Sequence, residues 1–387
     1  MSSAVEIELP PPVVASQPVV ELAPDRREAV DARQTWAASL LREMGCEALI
    51  VAEPENFAWL TSGATVRGLL DPASAPCLLF TAEQRWVLCS NVDSQRLFDE
   101  EVDGLGFLLK EWPWHWGREQ LVADLCHGRK VVCDQRRPDA EYVGDRLRRK
   151  RRALDGYDQA CLSALGQILV HAIEATCRTA AAGETEREIA AQVSHRLLHR
   201  GAQPVVLSVA ADGRSRLYRR PGFTSARIEK YCVVSVTARK YGTCAGATRT
   251  ISFGPPDDVL RREHDAATKV SAAYVASTWP DAVPREILLS GRRVYQVCDY
   301  EHEWQLAPQG YVTGRAPVEL ALTPKTEDLF EPGWAVTWRA GAGAAVSCDT
   351  FLVTEEGPRP ITPVEAWPLR RIRIQGADFL QPDILQR

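Results

Sequence analysis

Apolar and polar positions alternate along the chain in two periods, one helical and one strand-like. Residues 32–44 repeat apolar positions through Trp36, Leu40 and Leu41, which predicts a helix with Gly45 as its C-cap. Residues 48–51 (ALIV) read as a short buried strand, and Pro54 opens a turn into residues 56–60. Further strands are predicted at 77–81, 85–89, 106–109 and 130–133, with helices at 93–101 and 118–126. Strands interleaved with helices imply an α/β layer domain.

A second pattern follows. The basic run at 146–152 is expected to be a solvated helix at a domain junction. Residues 158–178 form a long amphipathic helix. Thr185 and Glu188 then make a capping box at the start of another helix, which Gly201 ends. Beyond Pro204 the chain is strand-rich, with helices expected at about 257–279 and 286–296 and a late strand at 371–374. This is an α+β domain. The expected organisation is a disordered tail at 1–28, held out of helix by Pro10, Pro11, Pro12 and Pro18, a first domain at 29–150 and a second at 151–387.

Composition narrows the function classes. The 387 residues carry 46 Lys and Arg against 51 Asp and Glu, a net charge of −5 that gives no general attraction to nucleic acid. Neither a secretory leader nor a run of about 18 apolar residues is evident, so no membrane role is expected. Eleven cysteines without a CxxC pair suit reduced thiols and a cytoplasmic location. Cys126, His127 and Cys133 are too isolated for a zinc knuckle. Trp112, Trp114 and Trp116 are expected to be buried against the other domain or a second subunit.

The order of several segments resembles the creatinase, prolidase and aminopeptidase P family. EALIVAEPENFAWLTSG resembles its first domain; GETEREIAAQVSHRLLHRGA, residues 240–254 (KYGTCAGATRTISFG), residues 332–341 (PGWAVTWRAG) and residues 348–357 (CDTFLVTEEG) resemble successive motifs of its second. The resemblance covers about residues 32–363. It implies an α/β creatinase-like N-terminal domain followed by a pita-bread α+β domain, and a homodimer in which the EWPWHW loop makes a contact.

Active members of that family hold two divalent metals with two Asp, one His and two Glu, and the metals activate a water. The matching positions here fall on Ser235, Gly246, Pro308, Arg339 and Cys348. Ser, Gly and Pro offer no anionic ligand, and Arg339 places a fixed cation where a dication would sit. No metal and no cofactor are therefore expected. The His-x-Pro-like motif reads Leu217-Tyr218-Arg219-Arg220-Pro221, without its His. Arg220, Arg315 and Arg339, with Tyr311, are expected to face the cleft. Two readings stand: these arginines bind a small anionic or amino-acid-like ligand, or they pair with Glu319, Asp349 or Glu355 and fill the space.

The leading expectation is a metal-free relative that is not an active peptidase, its cleft reused for a small-molecule or peptide ligand. Metal-independent hydrolase or lyase chemistry would have to use Cys348, Cys244 or Ser235 as nucleophile, or His302 as base. A protein-interaction module is a third reading, with the basic run and the Pro-rich tail as handles and no long acidic tail for histones. An Xaa-Pro metallopeptidase returns if the ligand positions are misassigned.

Overall fold

The computed structural model describes residues 25–65 and 74–387; the tail expected over 1–28 lies outside them except at its last residues. Those last residues are helical. Asp25 accepts a hydrogen bond from the Arg27 amide and caps α1 (Arg26–Met44), which Gly45 ends in the left-handed conformation.

The first domain continues with β1 (Ala48–Val51), α2 (Pro54–Leu60), β2 (Cys77–Phe80), β3 (Arg85–Ser90), α3 (Ser94–Glu100), β4 (Leu108–Trp112), α4 (Arg118–Cys126), β5 (Val131–Cys133), β6 (Glu141–Tyr142) and α5 (Gly144–Arg152). Its mixed sheet runs β4-β3-β2-β1-β5-β6. Trp112 is buried at the end of β4, whereas Trp114 and Trp116 are 72% and 48% exposed. The cluster thus divides: the first tryptophan joins the sheet's own core, and the other two lie on the surface of this chain, not against its second domain.

The second domain contains α6 (Gly156–Thr179), α7 (Glu186–His199), β7 (Gln203–Ala211), α8 (Arg214–Leu217), β8 (Tyr231–Lys240), β9 (Thr243–Ser252), α9 (Asp258–Ala276), α10 (Pro284–Val297) and β10 (Gly310–Thr313). It closes with β11 (Leu320–Ala321), β12 (Ala335–Ala342), β13 (Ala345–Thr354), β14 (Gly357–Pro360), β15 (Leu369–Ile374), β16 (Ala377–Pro382) and β17 (Leu385–Gln386). Two sheets, β17-β9-β8-β7 and β11-β10-β12-β13-β14, form the walls. Helices α6 and α7 back the first wall, where their apolar faces share a core with β8 and β9. Helices α9 and α10 back the second. This is the pita-bread architecture.

By length and composition α6 could cross a bilayer, which no uninterrupted apolar run in the sequence suggests; most of that stretch is buried within the fold. Its apolarity serves the core, not a membrane. The capping box at Thr185 and Glu188 forms as expected.

The basic run is more than a solvated face. Arg151 is buried and holds Glu319 at 2.8 Å while donating to Asn56, so α5 ties the first domain to the second. The expected boundary at 150/151 falls inside this helix. A second tie runs from Arg33, which holds Asp155 and Asp158 at 2.6 and 2.7 Å. The Arg151–Glu319 and Arg33–Asp158 pairs are desolvated on both sides, so removing one partner would strand a charge.

Candidate functional site

Strand alternation gives the two pita-bread walls an inner and an outer face. Cross-strand register puts Ser235 opposite Thr248, Thr237 opposite Gly246 and Arg239 opposite Cys244 on one wall. On the other wall, Arg339 lies opposite Cys348, Thr337 opposite Thr350 and Tyr311 opposite Thr337. These residues meet across the fold: Val233, Val346 and Cys348 share a small apolar cluster.

The inner face is a ladder of neutral polar groups. The Thr248 hydroxyl donates to Ser235 Oγ at 2.7 Å, and the hydroxyls of Thr337 and Thr350 lie 2.9 Å apart. Thr350 also receives the Gly246 amide at 3.0 Å and donates to its carbonyl at 2.9 Å, stitching the walls together. A Cβ at Gly246 would sit 3.3 Å from Thr237 Oγ1 and 3.5 Å from Thr337 Cγ2. The space a longer side chain would need there is already taken.

Arg339 is half-buried and donates to the Arg219 carbonyl at 3.1 Å. Among the described residues it has no carboxylate partner. Glu319 is held by Arg151, and Asp349 by Arg249 at 3.0 Å, so neither is available to Arg339. Arg219, not Arg220, enters the cleft: it pairs with the buried Glu303 at 2.9 Å and donates to the Gly343 carbonyl at 3.0 Å. Arg220 is exposed. Counting back two residues from Pro221, the spacing of His-x-Pro, would have selected Arg219. Arg315 is also corrected. It is fully buried, bonded to Asp158 and the Tyr241 carbonyl, and belongs to the tie between domains, not to the Arg339 cluster.

Pro308 is exposed, and its neighbours Ala307 and Gln309 line the cavity instead. Tyr311 does project into the site: burial pushes its phenol up, with Cys348, Thr237 and Arg339 as its surroundings. His302 is exposed on the short 301–305 turn, 3.6 Å from Glu303, a carboxylate that Arg219 already holds. The cavity lined by Arg219, Glu303, Gln309, Arg339 and Val346 has a volume of about 10 Å³. That is room for about one water.

Neither candidate cysteine is prepared for attack. Burial pushes the Cys348 thiol up to about 12, outweighing the nearby Arg339. Burial likewise raises Cys244, although Arg239 donates to its sulfur at 3.4 Å. At both thiols desolvation exceeds the guanidinium attraction.

Could a pair of divalent cations sit here? The groups that face the cavity are hydroxyls, a neutral thiol, a phenol, guanidiniums and a single carboxylate, Glu303, which Arg219 already holds. Among the described residues no cluster of three or more His, Cys, Asp or Glu could hold a metal ion. Hard dications require several anionic oxygens, so this donor set does not fit them.

The pita-bread fold with these inner walls defines a peptidase-type architecture. The profile of metallopeptidase family M24 matches residues 160–355, and the chain belongs to that family. The Xaa-Pro dipeptidase of Pyrococcus furiosus is 22% identical over 232 residues, covering 57% of this chain and 64% of that protein's length. Prolidase from Pyrococcus horikoshii OT3 superposes with a TM-score of 0.74 at 19% identity, over 86% of this chain and 99% of that one. The N-terminal domain of chickpea FACT complex subunit SPT16 superposes at 0.66 and 13% identity, over 88% and 97%. At such identities these structural likenesses show the fold alone.

Proposed function

We propose that this chain keeps the frame of an Xaa-Pro dipeptidase without two-metal hydrolysis, its former centre having become internal packing. The observation that carries this reading is the inner face itself: Ser235, Gly246, Arg339 and Cys348 stand at the positions that the family resemblance assigns to metal ligands, and no metal-binding cluster lies among the described residues. The test is hydrolysis of Ala-Pro and Gly-Pro dipeptides with added Mn²⁺ or Co²⁺. No turnover above the buffer rate is expected. Chelator-sensitive hydrolysis would overturn the reading and restore a proline-directed metallopeptidase.

Arg339 favours a second reading, because its guanidinium has no carboxylate partner among the described residues. A carboxylate or phosphate entering from the mouth would have to displace the Arg219–Glu303 pair. Saturable proline binding by calorimetry, lost in Arg339→Gln, would support it. Turnover through a cysteine is disfavoured by the burial of Cys348. For location, eleven free thiols fit a reducing compartment such as the cytoplasm. For assembly, the exposed Trp114 and Trp116 are the surface we assign to a homodimer contact. Light scattering of Trp114→Ala/Trp116→Ala should then give half the wild-type mass; a monomeric wild type would exclude it.

A further inference from the structure

A large cavity among the described residues lies away from the inner walls. It lies on the outer side, between α9, the last turns of α10 and the C-terminal strands, with a volume of about 1030 Å³. Its wall is mainly basic: Arg261, Arg262 and Lys269 from α9, Arg293 from α10 and Arg370 from β15, against the acids Asp265, Asp299 and Asp383.

The partners divide these charges unequally. Asp265 is shared, 2.6 Å from Lys269 and 2.7 Å from Arg370. Asp383 faces His264 at 3.4 Å, and that contact holds its carboxyl below the usual range. Arg261, Arg262 and Arg293 form no side-chain hydrogen bond or ion pair with any described residue, which leaves Asp299 and Asp383 as the carboxylates that oppose three guanidiniums in this wall. His264 itself is 3% exposed; its Nε2 lies 3.4 Å from Asp383, and its Nδ1 has no hydrogen-bond partner. A buried imidazole facing a carboxylate on one side, with its other nitrogen unsatisfied, marks a wall whose polar requirements the protein alone does not meet.

We propose that this cavity is a binding site for a small anion bearing phosphate groups. Arginine forks match phosphate oxygens in bidentate geometry, and three of them within one concave wall can engage more than one phosphate. The carbons of Val294, Val297 and Ile384 on the same wall leave space for an apolar portion of such a ligand. The cavity is within the size range of small-molecule sites, unlike the inner one. This site is independent of the Arg339 reading, since it lies on the opposite side of the second wall.

The test is calorimetric titration of the full-length protein with inorganic pyrophosphate in low-salt buffer, beside Arg261→Gln/Arg293→Gln and, separately, Arg339→Gln. Both outer arginines are exposed, so the double variant should keep the wild-type melting temperature. Saturable one-to-one binding is expected, weakened at least tenfold in the double variant and unchanged in Arg339→Gln. Absence of saturable heat, equal binding by the double variant, or equal affinity for sulfate at the same ionic strength would each overturn the proposal. Loss of binding only in Arg339→Gln would move the anion site to the inner cleft and likewise overturn it.

Discussion

The two faces of the same strands have been treated very differently. Outward from Thr248 the next residue is Arg249, fully buried, which holds Glu174 of α6 and Asp349 of β13, each at 3.0 Å. Thr362 adds a hydrogen bond to Asp349 at 2.8 Å. Inward, the neighbours of those residues are Thr248 and Cys348, which carry no charge. Because successive strand side chains alternate, the outer face can keep the ion cluster that attaches the sheets to α6 while the inner face exchanges its chemistry. The ion cluster that holds the sheets to α6 and the neutral inner-face groups thus lie on opposite sides of one ladder.

The largest expected effect breaks the outer face. Arg249→Met leaves the buried Asp349 without its cation and Glu174 with only the more distant Arg178, at 3.8 Å, and should cost about 3–5 kcal/mol, read by urea denaturation. A loss similar to that of inner-face variants would remove the contrast. Thr350→Val sits where the walls meet and strips Gly246 of both its hydrogen bonds. It should cost about 1–3 kcal/mol in the same assay. Ser235→Ala removes only the acceptor for Thr248 on the inner face and should cost about 1 kcal/mol or less.

The smallest effect is chemical. With its thiol pushed up to about 12, Cys348 stays neutral across the neutral and mildly alkaline range. Iodoacetamide should therefore leave it unmodified in the folded protein at pH 7 to 9 and label it after denaturation, as peptide mass spectrometry would report. The sign for stability follows: the unfolded thiol ionises near its ordinary value of about 8.5, so whatever Cys348 contributes is present below that pH and lost as pH rises towards 12.

Much of the frame could be read from the sequence, because local signals specify it. Gly45 after residues 32–44 gave the end of α1, and the Thr185–Glu188 box gave the start of α7. Cross-strand register could not be read this way. Thr237, Thr337 and Thr350 carry much of the inner hydrogen bonding, yet nothing local marks them; only their pairing across strands brings them together. Arg219 and Arg220 differ by one position, and only the turn after α8 decides which of them enters the fold. Arg315 looked like a cleft residue because its motif neighbours are; its charge is instead taken up by Asp158, more than 150 positions away. The basic run misled for the same reason, since Arg151 finds Glu319 only in three dimensions.

The most direct measurement is metal content by mass spectrometry, on protein grown and dialysed with excess Mn, Co and Zn. With no carboxylate set to hold a dication, less than about a tenth of an equivalent should remain. Retention of one or two equivalents, released by a chelator, would contradict the account and show that the inner walls still form a metal centre.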